Sequence, residues 1–252
     1  MIPLAHLLRP QKLSDIVGQR HLIGPGKILT KLIESDSITN LLFYGPSGTG
    51  KSCVANVIAN ETKAEFGRFN ATTISINDVR KFVKAGGRKL LFIDEIYRLS
   101  RNQSDVLLPF IEDGSVILVG ASTENPFHTL SSPLISRSQI LQFEPLSEKD
   151  LFELLLRGVE HLRQNRPKLK LDSEAAKYVV RVSCGDGRKC LTLLEMVVML
   201  NDVDEIAVEM VKDAAPNKYV IFNDDHHFNM ASAFQGSLQA TLMPPYTGLR
   251  SG

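Results

Sequence analysis

The chain has 252 residues, 29 Lys and Arg against 28 Asp and Glu, with 43% hydrophobic and 23% charged residues. That length allows one large domain or two small ones. The composition excludes long disorder, collagen-like repeats and a coiled coil, and the near-zero net charge excludes a globally basic nucleic-acid coat while leaving room for a local basic stripe. Three cysteines (Cys53, Cys184, Cys190) without a Cys-x-x-Cys pair supply neither a disulfide framework nor zinc-ligand spacing. No apolar run reaches the about 20 residues of a membrane span, and the first ten residues lack a signal-like apolar core, so a soluble intracellular protein with no membrane partner is expected.

In chain order, Ile28 to Ser35 carries an amphipathic helical pattern, Asn40 to Tyr44 is a short apolar strand and Lys51 to Thr62 a helix. Glu65 to Asn70 reads as a strand and Ser75 to Lys84 as a helix. Leu90 to Ile93 is a strand buried on both faces, Asn102 to Ile111 a helix, and Val116 to Ala121 and Ile140 to Phe143 two further strands. Alternating strands and helices predict a parallel sheet with right-handed crossovers. After Pro145 the pattern turns helical. Ser147 stands at a cap with Asp150 three residues on, a partial match to a capping box that prefers Glu or Gln there. Leu151 to Leu162, Ala175 to Val182, Lys189 to Leu200 and Ile206 to Lys212 follow as helices. The expected class is α/β: a parallel-sheet domain over 1–145, a small all-helical lid over 146–215, and a poorly patterned, partly flexible region over 216–252.

Gly45-Pro46-Ser47-Gly48-Thr49-Gly50-Lys51-Ser52 satisfies the phosphate-loop pattern G-x-x-x-x-G-K-[ST], placed between a strand and a helix as that motif requires. Its glycines let backbone N–H groups face phosphate oxygens, and the following helix adds its positive dipole end. Lys51 would neutralise the outer phosphates of ATP and the Ser52 hydroxyl would ligate Mg²⁺. Leu90 to Ile93 ends in Asp94 and Glu95, two carboxylates at the sheet's carboxyl edge, where open α/β folds bind ligands. Asp94 would hold the Mg²⁺ shell and Glu95 would orient or deprotonate the attacking water. Arg188 and Lys189 stand in the first turn of a helix, opposing its dipole unless an anion offsets them, and a nucleotide phosphate is one candidate. Thr123 and Asn125 follow the strand Val116 to Ala121; either could reach a γ-phosphate or the lytic water, or cap the turn that Pro126 enforces. Arg163, Arg166, Lys168 and Lys170, without interleaved aromatics, read as a solvated loop, and His226-His227 completes no metal site.

Arg9-Pro10, Val17-Gly18-Gln19, the phosphate loop, Phe92 to Ile96, Gly120 to Pro126 and Leu134 to Ser138 together resemble an AAA+ ATPase of the clamp-loader clade. Leu108-Pro109, Ile111 to Gly114 and Ala121 to Pro126 narrow the resemblance to the RarA family, over about residues 2 to 235. The resemblance implies that Val17 and Gly18 line an adenine pocket and that Thr123 or Asn125 is sensor 1. It makes Arg188 the lid's sensor 2 and Arg137 the arginine finger that reaches a neighbouring subunit's ATP. It further implies a DNA-stimulated, oligomer-dependent ATP hydrolase in replication-fork maintenance, recombination and repair, with weakly specific DNA-backbone contacts and replication or repair proteins as partners. Such a protein would be nuclear in a eukaryote and cytoplasmic, at the nucleoid, in a bacterium. Tyr97 stands where the family usually has histidine and Ser47 where it has proline, and from Gln239 onward the resemblance ends, so a C-terminally short member is expected. The alternative is a non-hydrolysing ATP-binding short form that regulates or interferes with full-length partners.

Overall fold

The computed structural model describes residues 2–84 and 87–215, and residues 1–214 form one unit. The region read above as 216–252, with the His226-His227 pair, lies outside the described residues. The chain opens with the short helix α1 (Leu4–Leu7), followed by α2 (Ile28–Glu34) and strand β1 (Leu41–Tyr44). Then come α3 (Lys51–Glu61), β2 (Glu65–Asn70), α4 (Ile76–Lys84), β3 (Lys89–Asp94), α5 (Arg101–Glu112) and β4 (Ile117–Ser122). Short helices α6 (Pro126–Thr129) and α7 (Ser132–Ser136) lead to β5 (Gln139–Gln142).

These strands form one parallel sheet in the order β2-β3-β4-β1-β5. Both faces are covered, which is why the strands read as continuous apolar runs. Leu41, Phe43, Leu90 and Phe92 point to the side packed with Leu29, Val54 and Ile58. Their neighbours Leu42, Leu91 and Ile93 point to the opposite side, against Val79, Leu107 and Leu134. Phe43, Phe92 and Phe143 are fully buried, and Phe43 and Phe143 meet at 4.9 Å between ring centroids across β1 and the end of β5.

The lid follows as α8 (Glu148–Arg163), β6 (Lys170–Leu171), α9 (Ser173–Ser183), α10 (Gly187–Leu200), β7 (Glu205–Ile206) and α11 (Val208–Ala214). Leu151, Leu155, Val179, Leu191, Leu194 and Val197 are its buried core. The capping box at α8 is complete. The Ser147 hydroxyl accepts from the Asp150 N–H at 3.2 Å and the Asp150 carboxylate accepts from the Ser147 N–H at 3.1 Å, so the shorter acid reaches as Glu would. Two features depart from the sequence reading. The helices carry a two-residue parallel pair, β6 with β7, and Arg163 and Arg166 are not simply solvated. Arg163 Nε donates to the Leu169 carbonyl at 2.8 Å and Arg166 to the Asn201 carbonyl at 2.8 Å, fastening the loop after α8. Among the described residues no helix is long and apolar enough to cross a membrane.

Candidate functional site

The phosphate loop leaves the carboxyl end of β1, and its shape depends on glycine at two places. Gly45 has φ +146° and a Cβ there would stand 2.1 Å from the Phe143 carbonyl oxygen. Gly48 has φ +67° and a Cβ there would stand 1.7 Å from Asp186 Oδ1. Larger residues are excluded by both conformation and space. The loop is fastened on three sides: the Gly45 N–H donates to the Ser122 carbonyl at 3.1 Å, the Thr49 hydroxyl to the Pro46 carbonyl at 2.9 Å, and buried Gln19 to the Thr49 and Glu144 carbonyls at 3.3 and 2.7 Å.

A cleft of about 280 Å³ opens over this loop. Ser47, Gly48, Thr49, Gly50, Lys51 and Ser52 line it from the loop, Asp94 and Glu95 from the end of β3, Thr123 from the end of β4 and Arg188 from the lid. Val17 lines it beside Leu8 and Ile16. Gly45 and Pro46 are not part of its wall; their carbonyls accept from Lys51 Nζ at 2.7 Å each. Gly18 is likewise outside the wall. It lets the N-terminal turn approach the segment that leads into α8, since a Cβ there would meet Leu146 Cδ2 at 2.6 Å and Asp150 Oδ2 at 3.3 Å.

The cleft mixes charges of both signs. Burial pushes the Lys51 ammonium down to about 8, with Asp94 and Asp186 opposing that change and Arg188 adding to it. Asp94 accepts from Arg68 Nη2 at 3.4 Å and from the Glu95 N–H at 3.2 Å. Glu95 has φ +52° and ψ +41°, an uncommon conformation for a long side chain and one that clusters at functional sites. Its carboxylate meets Arg98 Nε at 3.1 Å.

The structure separates the two residues after β4. Asn125 Oδ1 accepts from the Phe127 N–H at 3.1 Å and caps α6, whereas Thr123 faces the cleft. Arg137 is not part of its own chain's cleft. It pairs with Glu112 at 2.6 Å and donates to the Pro133 carbonyl at 3.0 Å, while Asn40 Nδ2 holds its backbone carbonyl at 3.2 Å. Among the described residues no group of three or more His, Cys, Asp or Glu could hold a metal. Ser52 and Asp94 are among the oxygen donors on the cleft wall, with Glu95, Ser47, Thr49 and Thr123. Hard oxygen donors of this kind fit Mg²⁺, which keeps much of its shell as water and phosphate.

Sequence reasoning missed Gln19 and Asp186 as site residues. Asp186 is 8% exposed and caps α10, accepting from the Lys189 N–H at 2.9 Å. Its Gly-Asp-Gly setting signals a helix start, so the cap was legible but its reach to the phosphate loop was not. The same cap supplies an anion for the cations in the first turn of α10.

A parallel sheet with a phosphate loop after β1, paired acids after β3 and a helical lid defines a P-loop ATPase of the AAA class. Accordingly, the family model for the ATPase family associated with various cellular activities (AAA) matches residues 41–146, and that for the AAA C-terminal domain matches 164–239. The chain is 32% identical over 253 residues to replication-associated recombination protein A of Bacillus subtilis, covering 96% of this chain and 60% of that protein. The Escherichia coli protein of the same name is 31% identical over 255 residues, covering 95% and 57%. ATPase WRNIP1 of Dictyostelium discoideum is 33% identical over 220 residues, covering 84% and 25%. Among solved structures, the Thermotoga maritima RuvB Holliday junction branch migration motor superposes with a TM-score of 0.71 at 27% identity, covering 82% of this chain and 72% of that one. The chain belongs to the replication-associated recombination protein A family, and it spans 60% and 57% of the two bacterial relatives named.

Proposed function

We propose that this chain is the nucleotide-driven engine of an ATP hydrolase acting on DNA in replication-fork maintenance, recombination and repair. One observation carries the reading: Lys51, Ser52, Asp94, Glu95, Thr123 and Arg188, from four separate segments, converge on one cleft. Backbone amides of Gly48 to Ser52 and the amino end of α3 receive the phosphates. Lys51 and Arg188 meet the outer phosphates from opposite sides. Ser52 and Asp94 offer oxygens to Mg²⁺, which when bound neutralises charge on the phosphate oxygens. Glu95 holds the attacking water and takes its proton, while Thr123, free of the capping bond that engages Asn125, senses the γ-phosphate. Val17 packs against the nucleoside and Gly18 keeps its turn close to the lid.

Arg137 acts on a neighbouring copy. Its guanidinium is not part of its own cleft's wall and pairs with Glu112. A cation supplied in trans stabilises the charge of phosphoryl transfer, so hydrolysis depends on self-assembly. The DNA role rests on kinship: two relatives are named for recombination and RuvB for Holliday junction branch migration. Contacts to the DNA backbone rather than to base edges fit a chain with no base-reading module among the described residues.

The test is ATPase activity against protein concentration, with and without DNA. Specific activity rises with concentration, falls in Arg137→Ala and in Glu95→Gln, and returns when the two variants are mixed. Full activity of Arg137→Ala alone would overturn the trans assignment, and ATP binding without turnover at any concentration would favour a binding-only role.

A further inference from the structure

We infer that Ser47 and Asp186 form a latch between the phosphate loop and the lid that sets how fast nucleotide leaves; the inference rests on the nucleotide-binding reading above. The Ser47 hydroxyl donates to Asp186 Oδ2 at 3.1 Å. The other carboxylate oxygen accepts from the Lys189 N–H at 2.9 Å, so one side chain caps α10 and grips the loop at once. A backbone bond runs parallel to it, from the Gly187 N–H to the Gly48 carbonyl at 3.1 Å. Asp186 fills the space that Gly48 leaves by lacking a Cβ. The contact joins residues 139 positions apart in sequence, and Asp186 stands two residues before the cleft-lining Arg188.

A carboxylate close to an anion-binding loop is unfavourable unless it is compensated, and here a helix amino end and a hydroxyl donor both compensate it. The hydroxyl–carboxylate bond is charge-assisted but, at 3.1 Å, longer than the short bonds of that kind, so its strength is that of an ordinary hydrogen bond. Leu154, Arg188 and Leu191 bring the lid onto the cleft wall. The lid therefore moves off the cleft only by separating Asp186 from Ser47. Both are positioning residues: they govern release and leave the hydrolytic step to Glu95.

The experiment is stopped-flow release of a fluorescent ADP analogue from the full chain, comparing wild type, Ser47→Ala, Ser47→Thr, Asp186→Asn and the Ser47→Ala/Asp186→Asn double variant. Ser47→Ala should release about five- to tenfold faster, the scale expected for one such bond. It should remain fully folded at the assay temperature by circular dichroism, and Ser47→Thr should return to the wild-type rate. The double variant should release no faster than Asp186→Asn alone, because the two changes break one bond. Equal release from Ser47→Ala and wild type, or multiplicative effects in the double variant, would overturn the latch. A wild-type chain that binds no labelled nucleotide would overturn the nucleotide reading itself, a distinct result.

Discussion

Raising the pH from 7 to 9 should weaken nucleotide binding, because Lys51 must be charged to meet a triphosphate. In the free protein burial lowers its pKa from the ordinary 10.5 to about 8. A bound phosphate supplies the opposite charge and raises it again, so above pH 8 binding takes up a proton. With a free-state pKa of about 8 and a protonated complex, the charged fraction falls from about 0.9 at pH 7 to about 0.1 at pH 9. The apparent Kd then rises about tenfold, or ~1.4 kcal/mol. Titration calorimetry with a non-hydrolysable Mg-ATP analogue, in two buffers of different ionisation enthalpy, reads both affinity and proton uptake. Lys51→Arg keeps its charge throughout and should bind with a flat profile. A wild-type affinity that is level between pH 7 and 9, with no proton uptake at pH 9, would refute the reasoning.

Other perturbations separate chemistry from folding. Glu95→Gln should still bind ATP but lose about 10²- to 10⁴-fold in turnover, read by phosphate release under saturating nucleotide. Ser147→Ala removes the cap of α8 and should cost about 0.5–2 kcal/mol in denaturant unfolding, with nucleotide affinity unchanged.

Most of the fold was legible because the periodic patterns agree with the sheet. Glu65 to Asn70 is a strand at those residues, and Leu90 to Ile93 extends by one residue at each end. The phosphate loop and the Asp94-Glu95 pair were legible because their chemistry is local in sequence. What escaped depends on partners far along the chain. Helix α1 is four residues long, and its place is set by Leu4, whose N–H donates to Glu195 at 3.0 Å. The β6–β7 pair is two residues on each side, too short for any period to show. Thr123 and Asn125 were equivalent in pattern, and the cap on Phe127 together with the place of Thr123 on the cleft wall distinguishes them. Gln19 and Asp186 gave no motif by themselves. Their roles come from carbonyls and a hydroxyl 30 to 139 positions away.

The most direct test of the account is the affinity of wild type and Lys51→Ala for a slowly hydrolysed Mg-ATP analogue at pH 7, with circular dichroism to show that both are folded. Loss of a half-buried, hydrogen-bonded cation should weaken binding by about 3 kcal/mol, roughly a hundredfold. Equal affinity in a folded Lys51→Ala chain would mean that triphosphate is held elsewhere, and the assignment of the cleft would fail.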